Sequence, residues 1–283
     1  MAAFLPVPAC LPMHISELAI HPLKSARRLT VPELLLTPLG PAWDRRWLLV
    51  DGAGRFVTQR THPRMCLITA TVAQGRLHLA APGMPDLEVV PVPAPQSVAA
   101  TVWNDTLPAQ AVSAQADAWC SRFLEMPVRL VFMAEETVRA VDPHYAGPGH
   151  RTAFSDGFPL LLVTQPSLDH LNGLLQAEGL PAVDWTRFRP NLVVAGDLPP
   201  HAEDGWQWLR VGAVELGVVK PCSRCAIPSI DPATARKDSR LLAVLQRYRA
   251  RADGKTYFGQ NVIIRRCAPG TALHLGDAVE VLE

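Results

Sequence analysis

Residues 46–58, Arg46-Trp47-Leu48-Leu49-Val50-Asp51-Gly52-Ala53-Gly54-Arg55-Phe56-Val57-Thr58, decide the fold class. Two short apolar runs, 46–50 and 55–58, flank the turn signal Asp-Gly-Ala-Gly, which reads as a β-hairpin. Outward from it the texture repeats. Runs 65–72 and 76–79 flank Gln74-Gly75 as a second hairpin, so residues 15 to about 103 are expected to be short strands joined by turns. The chain holds 27 prolines in 283 residues, about twice the usual ~5% share, which favours many short elements over long helices. Val90-Pro91-Val92-Pro93-Ala94-Pro95 is the most linker-like segment, and equally fits a stiff edge connection inside a β domain.

Beyond it, helices join the strands. Ala116, Trp119, Cys120, Phe123 and Leu124 recur at helical spacing behind Ser113, a capping residue, and predict a helix over 113–125 with Cys120 in the core. Pro166 opens a second helix that carries Leu168, Leu171, Leu174 and Leu175 and stops near Gly179. A third is expected over 239–251, with Leu241, Leu242, Leu245 and Tyr248 inward. Strands are expected at 128–132, 159–163, 191–195, 206–211, 214–219, 261–266 and 278–282, with a Gly/Pro loop around 142–149. The reading is an α+β fold, predominantly β.

The charge balance limits the function classes. Lys+Arg number 27 against 26 Asp+Glu, a formal charge of +1, so the chain is not a polycation that grips nucleic acid or an anionic membrane, and any anion must be held by a local cluster. The 48% hydrophobic content excludes a disordered chain, and the length suits two domains or one large one. The cysteines stand at 10, 66, 120, 222, 225 and 267, irregular except for one pair, which suggests free thiols in a reducing compartment. The N-terminus Met1-Ala2-Ala3-Phe4-Leu5-Pro6-Val7-Pro8-Ala9-Cys10 lacks a charged leader and a cleavage site, so a cytoplasmic protein with no membrane span is expected.

Lys220-Pro221-Cys222-Ser223-Arg224-Cys225 carries the chemistry. It follows a strand, and a thiol in a turn between Lys220 and Arg224 has its thiolate favoured by the cations, the form that binds soft metals or attacks. The pair is also readable as chance, as half a zinc site or as a redox pair. Zinc needs further ligands, for which no second CxxC or HxxxH exists, and a redox pair should open a helix where Ala226-Ile227-Pro228 reads as extended chain. Basic clusters recur at strand ends: Lys24-Ser25, Asp44-Arg45-Arg46, and Arg187-Phe188-Arg189-Pro190-Asn191, where forked donors suit phosphate. Cys10, Cys66, Cys267 and the scattered histidines show no ligand spacing, and Trp185, Trp206 and Trp208 read as packing residues.

Taken in order, His21-Pro22-Leu23-Lys24-Ser25, Asp44-Arg45-Arg46-Trp47-Leu48-Leu49-Val50-Asp51, Val57-Thr58-Gln59-Arg60, Phe188-Arg189-Pro190-Asn191, the thiol run with Ile230-Asp231-Pro232, Phe258-Gly259-Gln260 and the terminal Leu275-Gly276-Asp277-Ala278-Val279-Glu280-Val281 resemble the MOSC superfamily of molybdenum-cofactor proteins. That superfamily includes the mitochondrial amidoxime reducing components and the bacterial hydroxylaminopurine-resistance proteins. The resemblance runs from about Ile15 to the end. It implies a MOSC N-terminal β-rich domain over 14–110 and a β-barrel-like MOSC domain with a few helices over 111–283.

The resemblance also implies a site. Cys225 would be the molybdenum ligand and a catalytic residue, with Cys222 its neighbour. Lys24, Ser25, Arg45, Arg189, Asn191, Ser223 and Arg224 match family positions that hold the molybdopterin. Asn261, which stands where some members have an aromatic residue, would also bind the cofactor. Asp156, in Ala153-Phe154-Ser155-Asp156, matches an acidic residue near the metal and would be catalytic. The implied activity is reductive dehydroxylation of small N-hydroxylated compounds (amidoximes, hydroxylamines, N-hydroxylated bases). With no iron–sulfur cysteine cluster in the chain, electrons would come from a separate ferredoxin- or cytochrome b5-like donor with its reductase. A cofactor or sulfur carrier without turnover is the alternative; pyridoxal phosphate binding, met at superfamily level, is not expected.

Overall fold

The computed structural model describes residues 11–89 and 95–282. Cys10 and residues 90–94 of the linker-like segment lie outside the described residues. The chain runs through strands β1 (His14–Ile20), β2 (Leu29–Thr30), β3 (Glu33–Thr37), β4 (Gly40–Pro41), β5 (Trp47–Val50), β6 (Thr69–Ala73), β7 (Arg76–Ala80), β8 (Leu87–Val89), β9 (Ser97–Val102) and β10 (Asp105–Ala111). Next come α1 (Ala114–Leu124), β11 (Arg129–Phe132), the one-turn α2 (Pro143–Ala146), β12 (Leu160–Thr164), α3 (Gln165–Ala177) and β13 (Leu192–Ala195). The last are β14 (Trp208–Val211), β15 (Val214–Ser223), α4 (Arg240–Arg249), β16 (Tyr257–Arg266), β17 (Ala272–His274) and β18 (Val279–Leu282). The fold is strand-rich α+β, with curled, half-barrel sheets.

The largest sheet has the order β18-β14-β15-β16-β12-β13-β1-β2. Its β12–β13 pair is parallel, joined by the crossover through α3. These two strands are buried on both faces, which explains their nearly unbroken apolar sequence. Leu160, Leu162, Leu192 and Val194 enter the core of the curled sheet. Val163 and Val193 point the other way, into a second core with Leu168, Leu171 and Leu175 of α3 and Leu241, Val244 and Leu245 of α4. The pleat alone assigns each residue its side.

A four-stranded sheet, β5-β11-β10-β9, forms beside it. Helix α1 packs Ala116, Trp119, Cys120, Phe123 and Leu124 against Met65, Ile68 and the β6–β8 hairpins. Ser113 caps α1 as expected, its Oγ accepting from the Ala116 amide at 3.1 Å, and Glu125 in the left-handed region ends it.

Several expectations are revised. The 46–58 hairpin forms but is short: around the Val50–Phe56 bridge the Asp51 amide donates to Arg55 O at 2.9 Å and the Val57 amide to Leu49 O at 2.8 Å, while the other edge of β5 pairs with β11 and the Phe56 amide donates to Thr101 O. The Asp51 carboxylate accepts from the amides of Ala53 and Arg55, each at 2.9 Å, which tightens the turn and sends the second arm across to β9. In the expected strand at 65–72, a 3-10 turn over Pro63–Leu67, opened by its proline, buries Met65 and Cys66, and extended chain begins at Thr69. The loop at 142–149 contains α2, capped by Asp142. Strand β15 continues past Val219 through Ser223, with register shifts against β16, so Cys222 lies on a strand rather than in a turn.

Candidate active site

A cavity of about 120 Å³ opens among the N-terminal strand ends, the 153–158 loop and the end of β15. Lys24, Ser25, Arg45, Asp156, Arg189, Asn191, Ser223, Arg224, Cys225 and Asn261 all line it, as do Arg60 and Cys222. The three basic clusters therefore meet in space with the thiol run.

Backbone conformation aims the first group. Ser25, Arg45 and Arg189 all have positive φ, at 70°, 49° and 60°. Non-glycine residues in the left-handed region carry strain, and such strain concentrates where the surroundings force a functional geometry. Here the Arg45 amide donates to His21 O, and the Phe154 amide to Arg45 O, which ties the 153–156 loop to the Arg45 turn. Arg189 is held from its own backbone by the Trp185 carbonyl.

Asn191 is fully buried, and its side chain joins three elements: Nδ2 donates to Ala19 O at 3.0 Å, while Oδ1 accepts from the Leu161 amide at 3.1 Å and from Arg45 Nη1 at 3.0 Å. It is thus a support that orients Arg45. Asp44, also buried, accepts from Arg45 Nη1 and, at 2.7 Å, from the His21 amide. Burial pushes the Asp44 carboxyl up and the Arg45 charge opposes this. Arg189 Nη1 donates to Ala26 O at 2.6 Å; burial first, and the charge of Arg45 second, bring its pKa down to about 9, which leaves it charged at neutral pH.

Asp156 is the acidic centre. Its loop is anchored by Ala153 and Phe154, both buried against β5, β9 and β10, and by the buried Arg139, which donates to the carbonyls of Ala153, Ser155 and Asp156. The carboxylate receives Lys24 Nζ at 2.6 Å and Arg60 Nη2 at 2.7 Å, while 54% of the side chain stays open to the cavity. Burial opposes its charge, but Lys24 and Arg60 outweigh this and hold the carboxyl well below the usual range. Lys24 also donates to Phe154 O at 2.7 Å. Its pKa falls from 10.5 to about 8, chiefly through burial, with Asp156 resisting the fall.

The two thiols differ in exposure and partner. Cys225 is exposed and Arg60 Nε lies 3.3 Å from its sulfur, whereas Cys222 is half-buried with Arg224 Nη1 at 3.1 Å. Lys220 does not flank them as expected: its ammonium sits 3.9 Å from the Tyr145 ring centroid. Among the described residues no third His, Cys, Asp or Glu groups with the pair. Ser223 is exposed at the rim, and Asn261 Nδ2 donates to Lys220 O at 3.2 Å, bracing β15. Arg224 Nη2 donates to Phe188 O at 2.7 Å, and its Nε is buried without a partner.

Local pattern assigns no role to Arg60, Asp44 or Arg139, which the fold brings to the site. Arg60 meets Cys225 across 165 residues of chain and Asp156 across 96, separations that no local pattern announces.

Residues 13–127 match the MOSC N-terminal beta barrel domain and residues 149–280 the MOSC domain, and the chain belongs to the MOSC family of the mitochondrial amidoxime-reducing components. Among its relatives, the human mitochondrial amidoxime-reducing component 1 is 33% identical over 290 residues, covering 95% of this chain and 82% of that protein. The molybdenum cofactor sulfurase of Oryza sativa is 30% identical over 268 residues, 87% of this chain and 32% of that protein. Of solved structures, the YuaD protein of Bacillus subtilis aligns over 95% of this chain and 94% of its own, at 10% identity and a TM-score of 0.41. No helix among the described residues is long and apolar enough to cross a membrane.

Proposed function

We propose that the chain is a molybdenum-cofactor oxidoreductase that reduces N-hydroxylated compounds with electrons from a separate donor protein. One observation carries the reading: an exposed thiol, a half-open carboxylate and a ring of cations share one cavity. The residues suit the cofactor chemically. Lys24, Arg45, Arg60, Arg189 and Arg224 outnumber Asp156 and Asp44, so the cavity favours an anion, and the unpartnered Arg224 Nε adds a donor without an acceptor. Cys225 supplies a soft ligand.

When bound, the cofactor would exchange two electrons and accept the substrate's hydroxyl oxygen. Lys24, Ser25, Arg45, Arg189, Ser223 and Arg224 would hold its pterin and phosphate, with Asn191 orienting Arg45, Asn261 bracing the thiol strand and Cys225 binding the metal. The ionised Asp156 accepts the hydrogen of the N–O–H group and sets its direction. Lys24 keeps a proton at Nζ with a pKa of about 8, close enough to neutral pH to return one of the two protons that the reduction to N–H and water consumes. The donor is an electron carrier of the ferredoxin or cytochrome b5 kind.

Metal analysis of the purified protein, followed by assay with reduced methyl viologen and benzamidoxime, tests the reading. Molybdenum and turnover are expected, both lost in Cys225→Ser and largely kept in Cys222→Ser. Absence of molybdenum refutes the proposal, and molybdenum without turnover favours a carrier.

A further inference from the structure

A second cavity, of about 390 Å³, shares no lining residue with the candidate active site. Four stretches of chain enclose it: the end of β3 with the turn after it, residues 149–151, Pro159, and the end of β16 with the turn that follows. Its wall is apolar and stiff. Leu36, Pro38, Pro159, Ile264 and Pro269 supply it, and the prolines have a fixed backbone. Thr37 closes the first turn, its Oγ1 donating to Gly40 O at 2.8 Å and accepting from the Leu39 amide at 3.2 Å. Gly40, with φ +110°, packs so closely on that side that a Cβ there would stand 2.8 Å from Pro159 Cβ. The turn after β16 is closed by the Thr271 hydroxyl, which donates to Ala268 O at 2.8 Å. Walls tied in this way hold the cavity open before a ligand arrives, so little ordering opposes binding.

The charges that face it are of one sign. His150, Arg151 and Arg265 line the cavity, and no carboxylate does. Arg265 is engaged from outside: its guanidinium lies 4.2 Å from the Trp208 ring centroid, and its Nη1 is 3.9 Å from Glu215. The Cys267 thiol donates to Ala268 O at 3.2 Å. Arg151 differs from both. It is half-buried and its backbone bridges to Ala140, yet among the described residues its guanidinium meets no carboxylate, carbonyl or ring, and the His150 imidazole beside it has no partner either. A forked donor without an acceptor, set against an apolar wall, suits a carboxylate carried on a hydrocarbon body. A bare inorganic anion would leave the proline wall uncovered.

We propose that this cavity is a second ligand site, for a small carboxylate whose anionic end binds Arg151 and whose apolar body lies on the proline wall. The site needs neither molybdenum nor an electron donor, so it stands apart from the reductase reading. The two cavities are nevertheless neighbours: Phe158 and Leu160 line the candidate active site, while Pro159 between them lines this one.

Calorimetric titration of the full chain with 4-phenylbutanoate and with 4-phenylbutanamide, the same skeleton without the charge, tests the proposal. The acid should bind roughly tenfold or more tightly, the worth of one charge-assisted hydrogen bond. Arg151→Met should abolish that preference and leave the affinity for the amide unchanged, and Arg151→Lys should restore part of it. Because the candidate active site also holds cations, Arg60→Met is titrated alongside and should bind the acid as wild type does. Urea melts establish that each variant is folded, and the acid–amide comparison in wild type needs no variant. Equal affinity for the two compounds in wild type, or no binding of either, overturns the proposal. So does a preference for the acid that survives in Arg151→Met or is lost in Arg60→Met.

Discussion

Replacing Lys24 with methionine should stabilise the protein while removing a group proposed to hold its cofactor. The ammonium is almost fully buried, with a side-chain exposure of 7%, so solvent screening offers little relief. Its pKa of about 8, down from 10.5, corresponds to a cost of roughly 3 kcal/mol when the lysine is charged. Methionine removes that cost but forgoes the hydrogen bond to Phe154 O, worth about 1 kcal/mol. Asp156 keeps Arg60 and remains half-exposed, so its charge is not stranded. A net gain of about 2 kcal/mol is expected near pH 7.

The pH dependence gives the sign. Below pH 8 lysine is protonated in both folded and unfolded chains and the cost is complete; between about pH 8 and 10.5 the folded chain has released the proton that the unfolded chain still holds, so wild-type stability rises with pH. The advantage of Lys24→Met should shrink across that window and vanish above it. Urea denaturation of both proteins without cofactor, at several pH values with matched m-values, measures this. A variant less stable than wild type at pH 7, or a gap that does not change with pH, refutes the argument.

Two further substitutions probe the supports of the site. Asn191→Ala deletes a fully buried amide with bonds to Ala19, Leu161 and Arg45; about 3 kcal/mol of stability should be lost in urea melts, along with molybdenum retention. Gly259→Ala places a Cβ 2.5 Å from Val163 Cγ1 and 2.7 Å from Leu162 O, at a φ of +76°. It should cost at least about 2 kcal/mol and lower the melting temperature, because both the backbone region and the space are wrong for alanine.

Much of the architecture is legible in local pattern. Ser113 with the spacing of Ala116, Trp119, Cys120 and Phe123 announces α1, and Pro166 announces α3, because capping and helical period act within a few residues. The 46–58 hairpin is legible as well, but its length is not: the second arm leaves β5 after a single bridge and turns to β9, a strand far along the chain that no local window contains. The order of short motifs along the chain pointed to the MOSC family, which the domain matches then showed.

What the sequence determined by itself is therefore the chemistry in hand: one thiol pair between cations, basic clusters at strand ends, an acidic residue after Ala153-Phe154, and enough apolar period to place most strands and helices. Tertiary structure alone decided their assembly. It brought Arg60 to Cys225 and Asp156, turned Lys220 away onto Tyr145, made Asn191 a support for Arg45, and set Trp103 beside Arg60. The physical reason is that curled sheets join strand ends far apart in sequence. Charge, burial and reach at those junctions depend on neighbours that no local window contains.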